Sequence, residues 1–411
     1  MPSVTLRWLH PDGRVGGRVE GGPDDGQAYW GRGHVLDSRL SYPDGVLEAS
    51  GPEVASTCPF SRGAGGACGG CDLDRWPESA RHQALRSMVA RAYRLDAPPP
   101  LVTSPSPWST RARIQLSIVN GRVGYRVPRS HELVPVTDCE QARPELREAV
   151  ARLAAQVLPD GVDRVELRSD GTRAVFAFRR AEGVQGSVVL PDLGDVALGG
   201  RAAHGDPTLW LPHVGRPLRA SPTSFFQVHL ELNRMLVDFV VEQVTAVAPE
   251  RVLDLYAGIG NFTIPLAEAG LPVEAVELEG QATADLQATA EGLPLVAVTA
   301  MPAERFDPQR TPFDVVILDP PRAGAGAVMD RVLRSRPRRV VHVACDPVAG
   351  ARDVARAHRQ GYTTTAVRLF DLFPRTRHIE TVTVLDRGPA PRETRGRPRP
   401  TSGRRGRKGR R

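Results

Sequence analysis

Short apolar runs recur at intervals in the second half of the chain. Residues 252–256, 273–277, 295–298, 314–319 and 339–344 are each four to six residues long and rich in Val, Leu, Ile and Ala. Most are separated by segments long enough for a helix. Near-continuous apolar strands that alternate with helices predict a parallel sheet covered on both faces. Two further runs, 363–367 and 379–385, predict an antiparallel edge pair. The fold class expected is α/β, with a Rossmann-like doubly wound domain over residues 221–386. A helical period over residues 226–247 leads into it.

The rhythm upstream is different. Residues 111–119 and 122–127 flank Asn120-Gly121, a hairpin signal. Residues 164–169 and 174–178 read as further strands, and 144–157 as a helix. Residues 76–93 carry helical periodicity behind a cysteine-containing loop at 57–75. A β-rich central α+β domain is expected over 57–220. Residues 1–56 are rich in Gly, Asp and Pro, with short stretches at 4–8 and 33–36, and predict a small β module.

Charge changes the picture at one end. The net charge is +7, but residues 387–411 hold eleven Lys/Arg against one acid, Glu393. Without that segment 43 basic residues face 46 acidic ones, a net of −3. A Gly-, Pro- and Arg-rich tail without an apolar face predicts disorder and salt-dependent attraction to phosphate. No run of about eighteen apolar residues is present, so no membrane-spanning helix is expected. The start, Met1-Pro-Ser-Val-Thr, lacks the apolar core of an export signal. A cytoplasmic monomer is the expectation.

Candidate chemistry lies at the predicted strand ends. Asp254-Leu-Tyr-Ala-Gly-Ile-Gly-Asn261 joins a strand to a helix through two glycines, where a ligand can approach the backbone. Glu277 ends the next strand, placed to bind ribose hydroxyls. The third glycine of a pyrophosphate-binding fingerprint is absent, so a phosphate-free nucleoside cofactor such as S-adenosylmethionine fits better. Asp319-Pro-Pro-Arg322 ends another strand. Cys345 ends the strand at 339–344, where open α/β sheets keep their sites, and a helix over roughly 350–359 would favour its thiolate. A buried strand cysteine is the competing reading.

These motifs, in this order, resemble the RNA uracil-C5 methyltransferase family. The resemblance rests on Cys58 to Cys71, Phe226-Gln227, Asp254 to Asn261, Asp319 to Arg322, Cys345-Asp-Pro347 and Phe373 to Glu380, and spans about residues 57–386. It implies that Cys345 is the nucleophile that adds to C6 of a uracil, and that Glu380 is the base that removes the C5 proton. It implies S-adenosylmethionine contacts from Gln227, Tyr256, Asn261, Glu277 and Asp319. The implied partner is RNA, chiefly large-subunit ribosomal RNA, with transfer RNA as the other class. Two positions depart from the family pattern. Asp346 replaces the usual Asn, adding a negative charge able to raise the Cys345 pKa, and His229 replaces another Asn.

Cys58, Cys68, Cys71 and Cys139 remain. On spacing alone they could hold zinc or an iron–sulfur cluster, or act as a redox pair at Cys68 and Cys71. The resemblance implies a [4Fe–4S] cluster, since the family's cluster-bearing branch has this element and a fourth cysteine after the hairpin. By its position alone, the β module at 1–56 resembles the family's RNA-binding TRAM domain.

Overall fold

The structure, a computed structural model, describes residues 3–22, 24–31, 36, 38–41, 47–49, 53–128, 130–185 and 187–388. Most of the stretch at 33–36 and nearly all of the basic tail therefore lie outside the described residues. The tail's expected start is corrected: Arg387 ends the strand Glu380–Arg387, and its N–H donates to the Arg338 carbonyl at 2.9 Å.

The catalytic half is built on an eight-stranded sheet. Its order is Val296–Ala300, Val273–Glu277, Val252–Leu255, Val315–Leu318, Arg339–Ala344, Glu380–Arg387, Tyr362–Phe370 and Leu101–Val102. The first five strands run parallel, and Glu380–Arg387 lies antiparallel between its two neighbours. The expected edge pair is thus present, with Leu101–Val102 added outside it. Among the parallel strands the chain enters at Val252–Leu255, runs outward through Val273–Glu277 to Val296–Ala300, and then through Val315–Leu318 to Arg339–Ala344 on the other side. This opens a crevice beyond the strand carboxyl ends.

Both faces of the sheet are covered, which is why its strands read as mostly apolar runs. On one face Val252, Ile317, Val341 and Val382 pack against Leu232 and Leu236 of the helix Leu230–Thr245. On the other, Leu253, Val316, Val340 and Leu385 pack against the helices Glu78–Tyr93, Ala327–Ser335 and Pro347–Arg359. The expected helix at 226–247 starts four residues late. Ala112 donates to the Val228 carbonyl at 2.7 Å, which ties residues 226–228 to the central sheet, and the His229 side chain caps the helix that follows.

The central region is a seven-stranded sheet, ordered Arg201–His204, Val196–Leu198, Ala174–Arg180, Val162–Ser169, Arg113–Val119, Arg122–Arg126 and Leu133–Pro135. The helix Pro144–Ala154 buries Leu146, Val150 and Leu153 against it. The Asn120-Gly121 turn has φ of 49° and 71°, the left-handed pair a two-residue hairpin needs. A ribbon, Leu209–Leu211 with Leu218–Ala220, packs beside the helix Gly280–Thr289.

The N-terminal region contains a five-stranded sheet, with Ser3–Leu9 at its centre. Its Val4, Leu6 and Val19 share one core with Leu85 and Met88 of the helix Glu78–Tyr93 and with the catalytic sheet. Among the described residues no helix is long and apolar enough to cross a membrane.

Candidate active site

A cavity of about 730 Å³ opens at the carboxyl ends of the parallel strands. Its wall includes Gln227, Tyr256, Asn261, Glu277, Asp319, Cys345 and Glu380. All seven catalytic and cofactor residues expected from the sequence are thereby brought to one cavity.

One end is shaped for a nucleoside. Gly258 has φ of +57°, and a Cβ there would meet no atom within 4 Å, so the backbone faces open space. Gly260, at φ +97°, serves packing instead: a Cβ would lie 2.6 Å from Leu286 and 2.9 Å from Ile264. Glu277 accepts the Gly258 N–H at 2.9 Å with one oxygen and the Leu278 and Glu279 N–H groups, each at 2.8 Å, with the other. The first oxygen keeps a lone pair for a hydroxyl. Tyr256 sits at φ +64°, a conformation that costs a side-chain-bearing residue roughly 1–3 kcal/mol and is kept where geometry demands it. The turn from Gly258 to Thr263 carries no cation for a phosphate. The residues present fit an adenosine-type ligand.

Asn261 is held from two sides. Its Oδ1 accepts from Asn233 Nδ2 at 2.8 Å and lies 3.0 Å from His213 Nε2. Burial keeps His213 below its ordinary pKa, so at neutral pH it is an uncharged donor to that oxygen. Neither Asn233 nor His213 stands out in the sequence. Each becomes visible only when the helix Leu230–Thr245 and the ribbon meet the glycine turn. Under this turn Asp254 is fully buried, accepting from Thr263 Oγ1 at 2.6 Å, and burial with its acidic neighbours pushes its pKa up to about 7.

The other end holds the reactive groups. Cys345 follows the strand Arg339–Ala344, and Glu380 opens the strand Glu380–Arg387 beside it, where Thr381 pairs with Ala344. Burial raises the Cys345 thiol to about 12, and the charges of Glu380 and Asp319 add to this while Arg322 opposes it. Burial and Asp319 likewise hold Glu380 well above the carboxylate range. Burial brings Asp319 to about 7. The expectation that a helix N-terminus would favour the thiolate is therefore corrected: burial and the two carboxylates outweigh it and hold Cys345 on the thiol side at neutral pH. The helix does begin at once, as Pro347–Arg359, but Asp346 caps it by accepting from Val348 N and Ala349 N at 2.9 and 2.8 Å.

His378 also lines this end. Arg322 Nη2 lies 2.8 Å from its Nδ1. Guanidinium can only donate, so Nδ1 accepts and the proton sits on Nε2. Burial and the charges of Arg322 and Arg377 lower its pKa to about 4, keeping it neutral. Phe225, 56% exposed, completes the rim, with the Arg113 guanidinium 4.3 Å from its ring. Its signal was its place beside Phe226-Gln227.

The four remaining cysteines meet elsewhere. Cys58, Cys68, Cys71 and Cys139 line a small pocket with Arg111 and Tyr125. Cys68 Sγ accepts the Gly70 N–H at 3.4 Å, and Cys139 Sγ accepts from Tyr125 Oη at 3.3 Å. Burial raises Cys68 to about 11 and Cys71 to about 12, and nearby thiols add to both shifts. Four cysteines around one pocket, two of whose sulfurs accept hydrogen bonds, offer a soft donor set for a cationic centre that would hold them as thiolates.

Residues 216–388 match the family model described as tRNA (Uracil-5-)-methyltransferase. The chain is 32% identical over 378 residues to the 23S rRNA (uracil(1939)-C(5))-methyltransferase RlmD of Edwardsiella ictaluri, covering 83% of this chain and 84% of that one. It is also 32% identical to an uncharacterized RNA methyltransferase of Corynebacterium glutamicum, covering 87% and 86%. Its fold matches the Pyrococcus abyssi tRNA (uracil-54, C5)-methyltransferase, solved with S-adenosyl-L-homocysteine. The TM-score is 0.70 at 22% identity, over 94% of this chain and 100% of that one.

Proposed function

Since the chain belongs to the RNA uracil-C5 methyltransferase family, we propose that it methylates C5 of a uridine in RNA, with S-adenosylmethionine as donor and large-subunit ribosomal RNA as substrate. The observation that carries this reading is the convergence of Cys345, Asp319 and Glu380 at one end of a cavity whose other end fits a nucleoside.

Uracil C5 is a weak nucleophile until C6 is attacked. The Cys345 thiol gives up its proton to solvent, the resulting thiolate adds to C6, and the ring becomes an enolate with its electron density at C5. When bound, S-adenosylmethionine supplies the electrophilic methyl group and a positive charge that favours the ionised forms of Cys345 and Glu380. After transfer, Glu380 takes the C5 proton. The C–H electron pair re-forms the C5–C6 double bond, and the Cys345 thiolate leaves. A carboxylate whose pKa is raised by burial holds that proton better than an exposed one. His378 presents an Nε2–H donor toward a uracil carbonyl, and Phe225 offers a face for a base turned out of its stack.

Cys58, Cys68, Cys71 and Cys139 would hold a [4Fe–4S] cluster, whose chemistry here is structural cross-linking. The N-terminal sheet would extend the RNA-binding surface, in the place of a TRAM domain.

The test is covalent trapping. An RNA carrying 5-fluorouridine leaves no removable proton at C5, so the Cys345 adduct should persist through denaturation. Absence of the adduct on an RNA the protein methylates refutes the covalent route. So does methyl incorporation that survives Cys345→Ala. Mass analysis of the product nucleoside separates 5-methyluridine from 5-methylcytidine.

A further inference from the structure

The turn that precedes Glu380 leaves the catalytic sheet at Phe370 and returns at Glu380. Its outward anchors come mainly from the segment that begins at Cys71, with a further one where the Pro11 carbonyl accepts from Arg377 Nε at 3.2 Å. Asp72 Oδ1 accepts the Arg377 backbone N–H at 3.1 Å, and Oδ2 pairs with the Arg377 guanidinium. Leu73 N–H donates to the Arg375 carbonyl at 3.0 Å. Four residues into the following helix, Arg81 is fully buried, and donates to Asp371 Oδ1 at 3.1 Å and to the Thr376 carbonyl at 3.2 Å.

Glu380 needs such support. Its side chain is 1% exposed, and its buried Oε1 has no hydrogen-bond partner among the described residues. The backbone on either side must therefore aim the carboxylate. On the far side that is the strand, and on the near side it is Arg377. Misplacing a reacting group by about 1 Å can cost a hundredfold in rate.

We propose that Asp72 positions Glu380 through Arg377, so that the cysteine loop acts on removal of the C5 proton. The proposal rests on the covalent Cys345 route. It assigns Asp72 and Arg377 as positioning residues. Arg377 is partly buried and Asp72 is exposed, and neither lies on the cavity wall. Their loss should spare RNA capture, addition of Cys345 and methyl transfer. It should slow the step after them, leaving a methylated, covalently attached RNA.

The experiment uses the full chain, a uridine RNA tritiated at C5 and S-adenosylmethionine. Three quantities are followed: tritium release, methyl transferred, and protein–RNA complex surviving denaturation. Glu380→Gln is the control and should accumulate methylated complex without releasing tritium. Asp72→Asn is expected to release tritium about tenfold more slowly, to accumulate the same complex and to keep the KM for RNA. Arg377→Gln should do the same, and carries the test if Asp72→Asn fails to fold. Trapping by Glu380→Gln, with tritium release and methyl transfer falling together and no complex in the other two variants, overturns the proposal alone. No complex with Glu380→Gln overturns the covalent route, and this proposal with it.

Discussion

In the substrate-free protein, Cys345 should be a slow nucleophile despite its proposed role. Burial and two carboxylates move its pKa from 9.0 to about 12. At pH 8 a rise of that size leaves roughly a thousandfold less thiolate than in an unperturbed cysteine. Each thiolate is more reactive because it is more basic. With a Brønsted slope near 0.4–0.5, this recovers roughly 15- to 30-fold. The net expectation is alkylation about 30- to 60-fold slower than for an exposed thiol. The assay is an iodoacetamide pulse at a series of pH values from 7 to 10.5, with mass analysis of the peptide containing Cys345.

The pH profile is the decisive readout. Steric shielding lowers the whole curve but does not move its inflection. A thiol at about 12 gives a rate that climbs about tenfold per pH unit across this range without levelling. Glu380 and Asp319 both raise the thiol pKa, and Glu380→Gln and Asp319→Asn each remove one of these opposing carboxylates. Both variants should react faster than wild type. A plateau beginning near pH 9 or below, or variants no faster than wild type, refutes the electrostatic account.

Three other outcomes are expected. Arg81→Met should destabilise the fold by about 3 kcal/mol, read as a fall in Tm, because it takes the buried guanidinium from Asp371 and leaves only His82, 3.2 Å away, as its partner. Asp371 is held below its ordinary 3.8, so its contribution is complete above that pH and is lost as pH falls toward the depressed value. The wild-type advantage should therefore shrink below about pH 4. Glu277→Ala should weaken S-adenosylmethionine binding at least about tenfold, roughly 1.4 kcal/mol by calorimetry, since three backbone N–H groups lose their acceptor; unchanged affinity refutes the nucleoside assignment of that end. Truncation after Gly388 should weaken RNA binding and flatten its salt dependence, with Tm unchanged; an unaltered salt slope rejects a phosphate-binding role for the tail.

The catalytic sheet was legible because its strands are buried on both faces. Val252 and Leu253 go to opposite sides, yet both meet apolar helices, so the run is almost wholly apolar, with the buried Asp254 as its one polar position. The Asn120-Gly121 hairpin was legible for a local reason, two adjacent left-handed residues. The ribbon at 209–220 was not, because its strands are three residues long and Trp210 between two buried leucines is half exposed. The start of the helix at Leu230 was missed because a hydrogen bond from Ala112, more than a hundred residues away in sequence, holds the Val228 carbonyl outside the helix. Periodicity over 226–247 carries no trace of that bond. The cavity residues named from motifs lie at strand ends or beside them. Those missed, His213 and Asn233, reach the cavity from the ribbon and a helix, which sequence spacing does not place.

The thiol of Cys345 shows where motif reasoning stops being quantitative. A helix N-terminus favours a nearby anion by at most about 2 kcal/mol, roughly 1.5 pKa units. That is less than the upward shift produced by burial with Glu380 and Asp319. The helix is also already engaged, since its first free N–H groups, on Val348 and Ala349, donate to the Asp346 carboxylate. Asp346 was expected to raise the thiol pKa by direct charge. The charges that raise it belong instead to Glu380 and Asp319, and Asp346 takes up the N–H groups that would have opposed them. The proposed nucleophile is thus held on its protonated side by the groups around it. Its ionisation then waits on positive charge arriving beside it, which couples the reactivity of Cys345 to occupation of the nucleoside end of the same cavity.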